Sequence, residues 1–190
     1  LGEWILNEAC RQKRAWLDEG YPRFQMAVNM SSIQLEDPNI ENIVRAALNK
    51  YDLDPALLEI ELTESAFADR QELSNAVERL RNIGISVAID DFGTGYSTFS
   101  YIKELPVDTV KIDRSFVKDI DENKDSQAIV SAIVTLATTA GLDVVAEGVE
   151  SEKQGEILYE LGCQVGQGYF YSRPVPAEEC TLLLDEQFKE

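Results

Sequence analysis

The chain contains no histidine among its 190 residues. That absence removes Ser-His-Asp and Cys-His nucleophiles and histidine-based zinc chemistry together. Cysteine is scarce too: Cys10, Cys163 and Cys180 are odd in number and lack metal-type spacing. They read as buried or incidental thiols of a reducing cytosol. Any metal must therefore be held by oxygen ligands, which favours magnesium, manganese or calcium. No apolar run approaches a membrane span and no signal-peptide pattern opens the chain, so a cytoplasmic location is expected. Basic residues are few, 17 against 35 acidic ones, and the net charge of −18 repels polyanions. Binding along DNA or RNA is not expected. A small phosphorylated ligand stays open, because metal ions can neutralise both partners locally. Much of the acid, including Glu36, Asp37, Asp69, Glu72 and the Asp119–Asp125 cluster, reads as solvated helix face.

What the chain does have is a repeated pattern. Six short apolar runs each end in a polar or charged residue: FQMAVN at Asn29, LLEIE at Glu61, ISVAIDD at Asp90 and Asp91, TVKID at Lys111 and Asp113, DVVAE at Glu147, and CQVGQ at Gln167. Helix-length amphipathic stretches separate most of them. Strand–helix alternation predicts a parallel sheet covered by helices. If the strands close into a barrel, their C-terminal ends meet at one mouth, where chemistry collects. Several carboxylates in so apolar a setting need cations. The pattern therefore reads as a metal-assisted site at the mouth of a TIM-like β/α barrel.

The expected order begins with a helix over the first twenty residues, with Trp4, Ile5, Ala9, Trp16 and Leu17 near one face. Strands follow at 24–30, 57–62, 85–90, 109–113, 143–147 and 163–170. Helices are expected near 40–51, 69–83, 97–104, 125–140, 151–161 and 176–188, with stops at Gly20, Gly84, Gly141 and Gly162. Residues 1–190 read as a single domain. Six strands are fewer than the eight that fill a barrel of about 250 residues. The expectation is that two strands and a helix belong upstream of Leu1.

Read in order, AVNMSSIQL, EIELTES, AIDDFGTGYST, LPVDTVKIDRSFV, VVAEGVE and QVGQGYFYSRP resemble the EAL family of cyclic di-GMP phosphodiesterases. The likeness covers nearly the whole chain with natural spacing. It implies an α/β fold, a modified barrel that opens cyclic di-GMP to linear pGpG using magnesium or manganese at a two-metal site. The name-giving Glu-Ala-Leu segment is not present: Glu8-Ala9 is followed by Cys10 inside a helix. The family's phosphate-contacting arginine just after that segment is missing too. The alternative is thus a catalytically inactive barrel acting as a cyclic di-GMP sensor or interaction module.

The resemblance assigns roles residue by residue. Asn29, Glu61, Asp90, Asp91 and Glu147 are the implied metal ligands. Lys111, Glu147 and Gln167 stand where the family handles the attacking water. Gln34 and Glu150 are the implied substrate contacts, and Glu64 steadies the loop that holds Gly93 and Gly95. Plainer readings stand beside these. Asn29 could close a strand into a turn, and Asp90-Asp91 could be a turn before Phe92-Gly93. Lys111 could pair with Asp113 as a structural ion pair, and Glu61 could belong to a half-exposed strand. Arg114 and Arg173 could meet phosphate or serve surface ion pairs. The family also implies a homodimer through the face near the DDFGTG loop.

Overall fold

Short runs rich in Val, Ile and Leu, punctuated by glycine and proline, form strands because branched side chains pack well on a pleated surface. In the computed structural model, which describes residues 1–68, 70–95 and 106–188, there are six of them. They are β1 (Met26–Asn29), β2 (Leu58–Thr63), β3 (Ser86–Phe92), β4 (Thr109–Ile112), β5 (Asp143–Glu147) and β6 (Val165–Gln167). All neighbours are parallel and the order is sequential, β1 through β6. The helices are α1 (Gly2–Asp18), α2 (Ser32–Leu35), α3 (Ile40–Lys50), α4 (Arg70–Arg81), α5 (Arg114–Val117), α6 (Lys124–Ala140), α7 (Glu152–Glu160) and α8 (Ala177–Phe188). The helix expected near 97–104 lies outside the described residues.

The sheet curls into an incomplete TIM-like barrel with β1 and β6 at its edges. The curl brings the first and last helices together. The Trp16 indole N–H in α1 donates to Thr181 Oγ1 in α8 at 2.8 Å, and the Tyr21 hydroxyl bonds Asp185 nearby. Leu58, Ile60, Leu62, Val87, Ile89, Val110 and Ile112 are buried in one apolar core with Val77 and Leu80 of α4 and Val130 and Ala137 of α6. Gly141, at φ 81°, ends α6 in a left-handed conformation that its missing side chain permits.

Three details depart from the sequence reading. β2 is not half-exposed: it is buried through Leu62 on both faces, because Glu59 and Glu61 face the barrel interior and not solvent. α1 buries Leu6, Cys10, Lys13 and Trp16, the positions that recur every three or four residues on its inner side. Trp4, 64% exposed, and Ile5 point away from it. The last strand stops at Gln167 because the chain turns back. Val149 N–H donates to the Gln167 carbonyl and Phe170 N–H to the Val149 carbonyl, so residues 168–170 pack on the loop after β5.

Candidate active site

The C-terminal ends of the strands converge on Lys111. Its ammonium lies 2.8 Å from Glu61 Oε1, 2.6 Å from Glu147 Oε1 and 3.4 Å from Asp90 Oδ1. These partners come from β2, β5 and β3, and Lys111 is only 3% exposed, so its charge is neutralised within the barrel and not by water. Burial pushes its pKa down, but the hydrogen bonds to Glu147 and Glu61 outweigh it and hold the ammonium above its ordinary range. The structural pairing with Asp113 considered from sequence does not occur. Asp113 instead accepts from Ser115 N–H at 2.9 Å to cap α5, and its carboxyl lies close enough to that of Asp91 for the two to influence each other's ionisation. Burial opposes its ionisation, and the Ser115 hydrogen bonds prevail to keep its pKa low.

Adjacent residues of a regular strand point to opposite faces. At the end of β3 that alternation breaks. The register with β4 shifts between Ile89 and Phe92, and Asp91 adopts φ 55°. The ligand oxygens of Asp90, Asp91 and Glu147 consequently lie within 4.8 Å of one another. Burial, then the charge of Asp90 and the contact with Asp113, raises the Asp91 pKa. Burial also raises Glu147, against the pull of Lys111 and with the push of Asp90. The protein thus holds these carboxylates against their own repulsion.

The other predicted residues lie at or just after the C-terminal ends of the strands. Asn29 pairs in register with Glu61 and Gln167 with Glu147, so both amides share the cluster's face at the mouth, and both are exposed on the edge strands. Glu64, buried, accepts from Gly93 N–H at 2.8 Å and Gly95 N–H at 3.4 Å. A Cβ at Gly95 would meet Glu64 Oε1 at 2.3 Å, and one at Gly93, which sits at φ 98°, would meet Phe116 at 2.8 Å. Gln34 turns its side-chain oxygen to Ser31, accepting from its N–H at 3.0 Å and its hydroxyl at 2.9 Å, and caps α2. Glu150 is exposed just past β5, its N–H donating to Gln154 Oε1 at 2.7 Å. Arg114 opens α5 beside Gly148, and Arg173 stacks on the Tyr169 ring at 4.5 Å. Sequence reasoning missed a second polar pair inside the barrel: Thr109 donates to buried Glu59 at 3.0 Å. Two-residue spacing was the available signal, since Glu59 and Thr109 precede Glu61 and Lys111 by two and share their face.

Four carboxylates, Glu61, Asp90, Asp91 and Glu147, gather around one ammonium. The excess negative charge and the all-oxygen donor set fit hard divalent cations such as magnesium or manganese. A β/α barrel with an acidic, oxygen-donor mouth is the class of protein that fold and site define.

Comparison with known proteins narrows that class. The family model for the EAL domain matches residues 1–174. The chain belongs to the EAL-domain family. It is 47% identical over 180 residues to the bifunctional diguanylate cyclase/cyclic di-GMP phosphodiesterase MucR of Pseudomonas aeruginosa, covering 94% of this chain and 26% of that protein. It therefore spans about a quarter of the length of that relative. The structure of the MucR phosphodiesterase in complex with c-di-GMP superposes with a TM-score of 0.89 at 46% identity, covering 94% of this chain and 73% of the other. The EAL domain of Mycobacterium smegmatis DcpA gives 0.92 at 39% identity, covering 98% and 84%. Klebsiella pneumoniae BlrP1, in a manganese and cyclic di-GMP complex, gives 0.80 at 30% identity, covering 90% and 45%. Among the described residues no helix is long and apolar enough to cross a membrane.

Proposed function

We propose that this chain carries the catalytic centre of a cyclic di-GMP phosphodiesterase, opening the cyclic dinucleotide to linear pGpG with magnesium or manganese. The observation that carries the reading is the Lys111–Glu61–Asp90–Glu147 constellation, joined by Asp91, at the C-terminal mouth of an EAL-family barrel. The likeness to MucR and BlrP1, whose structures hold cyclic di-GMP, supports the substrate class.

Asp90, Asp91 and Glu147 would hold the divalent cations, with Asn29 and Glu61 beside them. When bound, such cations supply Lewis-acid stabilisation to a phosphodiester and acidify the attacking water. The chain's own residues orient the reactants. Lys111 is fixed by Glu61, Asp90 and Glu147, and its charge at the base of the mouth would polarise a water or phosphate oxygen held there. Gln167 offers an amide from the neighbouring strand to position that water. Gln34 and Glu150 flank the mouth as substrate contacts; a glutamate there suits the N–H edge of a guanine. Glu64 fixes the Gly93–Gly95 turn, which holds Asp91 in its left-handed conformation beside the cluster. No side-chain nucleophile is required, in keeping with a chain free of histidine. The reading places the protein in the cytoplasm, consistent with three free cysteines, and assembles it as a homodimer near the DDFGTG loop.

The test is turnover of cyclic di-GMP by the purified chain with each metal, products resolved by chromatography. Linear pGpG is expected, with a loss of about a hundredfold or more in Asp90→Asn. Absence of product with nucleotide binding retained would instead assign a sensor.

A further inference from the structure

We infer that Lys111 is a resident counter-cation that competes with divalent metal for the same carboxylates, holding the metal-free cluster together while lowering its affinity for the ion. The inference rests on the reading of this mouth as a divalent-cation site. It comes from the geometry of one ammonium. Lys111 Nζ contacts Glu147 Oε1 at 2.6 Å and Asp90 Oδ1 at 3.4 Å, and these two residues belong to the trio whose oxygens lie within 4.8 Å of one another. Its third partner, Glu61 Oε1 at 2.8 Å, is the carboxylate next to Asn29 in the strand register. Every oxygen the ammonium engages is thus an oxygen that a metal at this mouth would engage or electrostatically feel.

Three further features make the competition unavoidable. Lys111 sits within β4, which is paired on both sides by β3 and β5, so its backbone cannot withdraw. Its side chain is 4% exposed, so the stem has no route along which the charge can reach water. Asp90 Oδ1, the oxygen 3.4 Å from the ammonium, also accepts from Asp91 N–H at 3.1 Å, so an ion approaching that oxygen meets two donors already in place. A divalent ion entering the cluster therefore meets a fixed unit charge a few ångströms away, and the repulsion lowers its affinity. Without metal the same charge offsets part of the repulsion among Glu61, Asp90, Asp91 and Glu147. A lysine serving only to support the fold would act in the opposite sense, since its removal would loosen the ligands and weaken metal binding.

The experiment titrates the full, chelator-treated chain with manganese and with magnesium by isothermal calorimetry, alongside thermal melts without metal. Lys111→Met is expected to bind manganese about tenfold tighter than wild type. It is also expected to melt several degrees lower without metal and to recover most of that loss when manganese is added. Lys111→Arg, which keeps the charge, is expected to stay within about threefold of wild type. If Lys111→Met is unfolded by circular dichroism, Lys111→Gln repeats the test with a neutral polar head. Asp90→Asn reports on the site itself and is expected to weaken binding. Metal binding to wild type that is unchanged or weaker in the neutral Lys111 variants overturns the inference while the metal site stands. Binding by the neutral variants but not by wild type supports it. No binding by any form overturns both the inference and the metal reading.

Discussion

At the scale of single residues, two buried side chains carry consequences that can be measured. Glu64 accepts hydrogen bonds from Gly93 and Gly95 in the turn after β3, and those amides are otherwise part-buried donors. Removing a charged acceptor from such partly buried N–H groups costs about 1 kcal/mol, the low end of the range for buried ones. Glu64→Ala should lower the urea midpoint correspondingly and reduce turnover further, because the turn positions Asp91. Lys13 is a different case. It is fully buried in α1 with its Nζ 3.0 Å from the centroid of the Phe24 ring and 3.5 Å from the Pro22 carbonyl oxygen. Burial, and then the charge of Arg23, pushes its pKa down to about 8 from 10.5. Below pH 8 both folded and unfolded chains carry the proton, and the folded state bears the cost of burying it. Between about pH 8 and the unfolded value the folded chain releases the proton first, so this contribution makes stability rise with pH. The ring face returns part of the burial cost. Lys13→Met is expected to be more stable than wild type at pH 7, by on the order of 1 kcal/mol. The difference should shrink as pH climbs toward 10.5, which denaturant melts at each pH would show.

At the scale of elements, helix caps decide where the connecting segments begin. Asn123 accepts from Asp125 N–H at 2.9 Å and Ser126 N–H at 3.3 Å, satisfying two orphan donors at the start of α6. Asn123→Ala should cost about 1 kcal/mol, read as a lower thermal midpoint with the α6 helicity otherwise retained. Long helices and the β-branched runs were legible in the sequence because periodicity and glycine stops agree there: α6 starts one residue from its expected position and ends where Gly141 was expected to end it. β5 matches its expected span outright. Four-residue helices such as α2 and α5 were not legible, because they hold too few residues to show a period and depend on caps from Ser31 and Asp113. β6 was read too long because GYFY is as apolar and aromatic as a strand, and only the hydrogen bonds to Val149 show that it turns back. The site followed the same rule. Lys111, Asp90 and Glu147 stood out as charges at the ends of apolar runs. The partner of Lys111 did not, since Asp113 is two residues away in sequence whereas Glu61 and Glu147 reach it only through sheet register. The reversal of Asp91 required a left-handed residue and a register shift that no periodicity encodes.

At the scale of the whole molecule, charge is the dominant variable. With 35 acidic and 17 basic side chains the folded chain concentrates a net −18, and compaction brings those charges closer than they are in the unfolded state. The exposed ion pairs, such as Arg45–Glu41 and Arg81–Asp108, offset little of it. Self-repulsion extends over a Debye length of about 30 Å at 0.01 M salt and only about 8 Å at 0.15 M. Sodium chloride is therefore expected to raise the melting temperature by about 2–5 °C between those concentrations. Screening by a monovalent salt acts on the surface everywhere, whereas at the mouth Glu61 is buried and Asp90 and Glu147 are half-buried, with Asp91 alone of the four exposed, and screening is weaker there. A divalent cation at matched ionic strength should consequently stabilise more than sodium does. That excess should disappear in Asp90→Asn while the sodium effect persists. Melts of both proteins in sodium chloride and in magnesium chloride at equal ionic strength separate the two contributions: an excess that survives Asp90→Asn would move the magnesium effect off the barrel mouth and onto the general acidic surface.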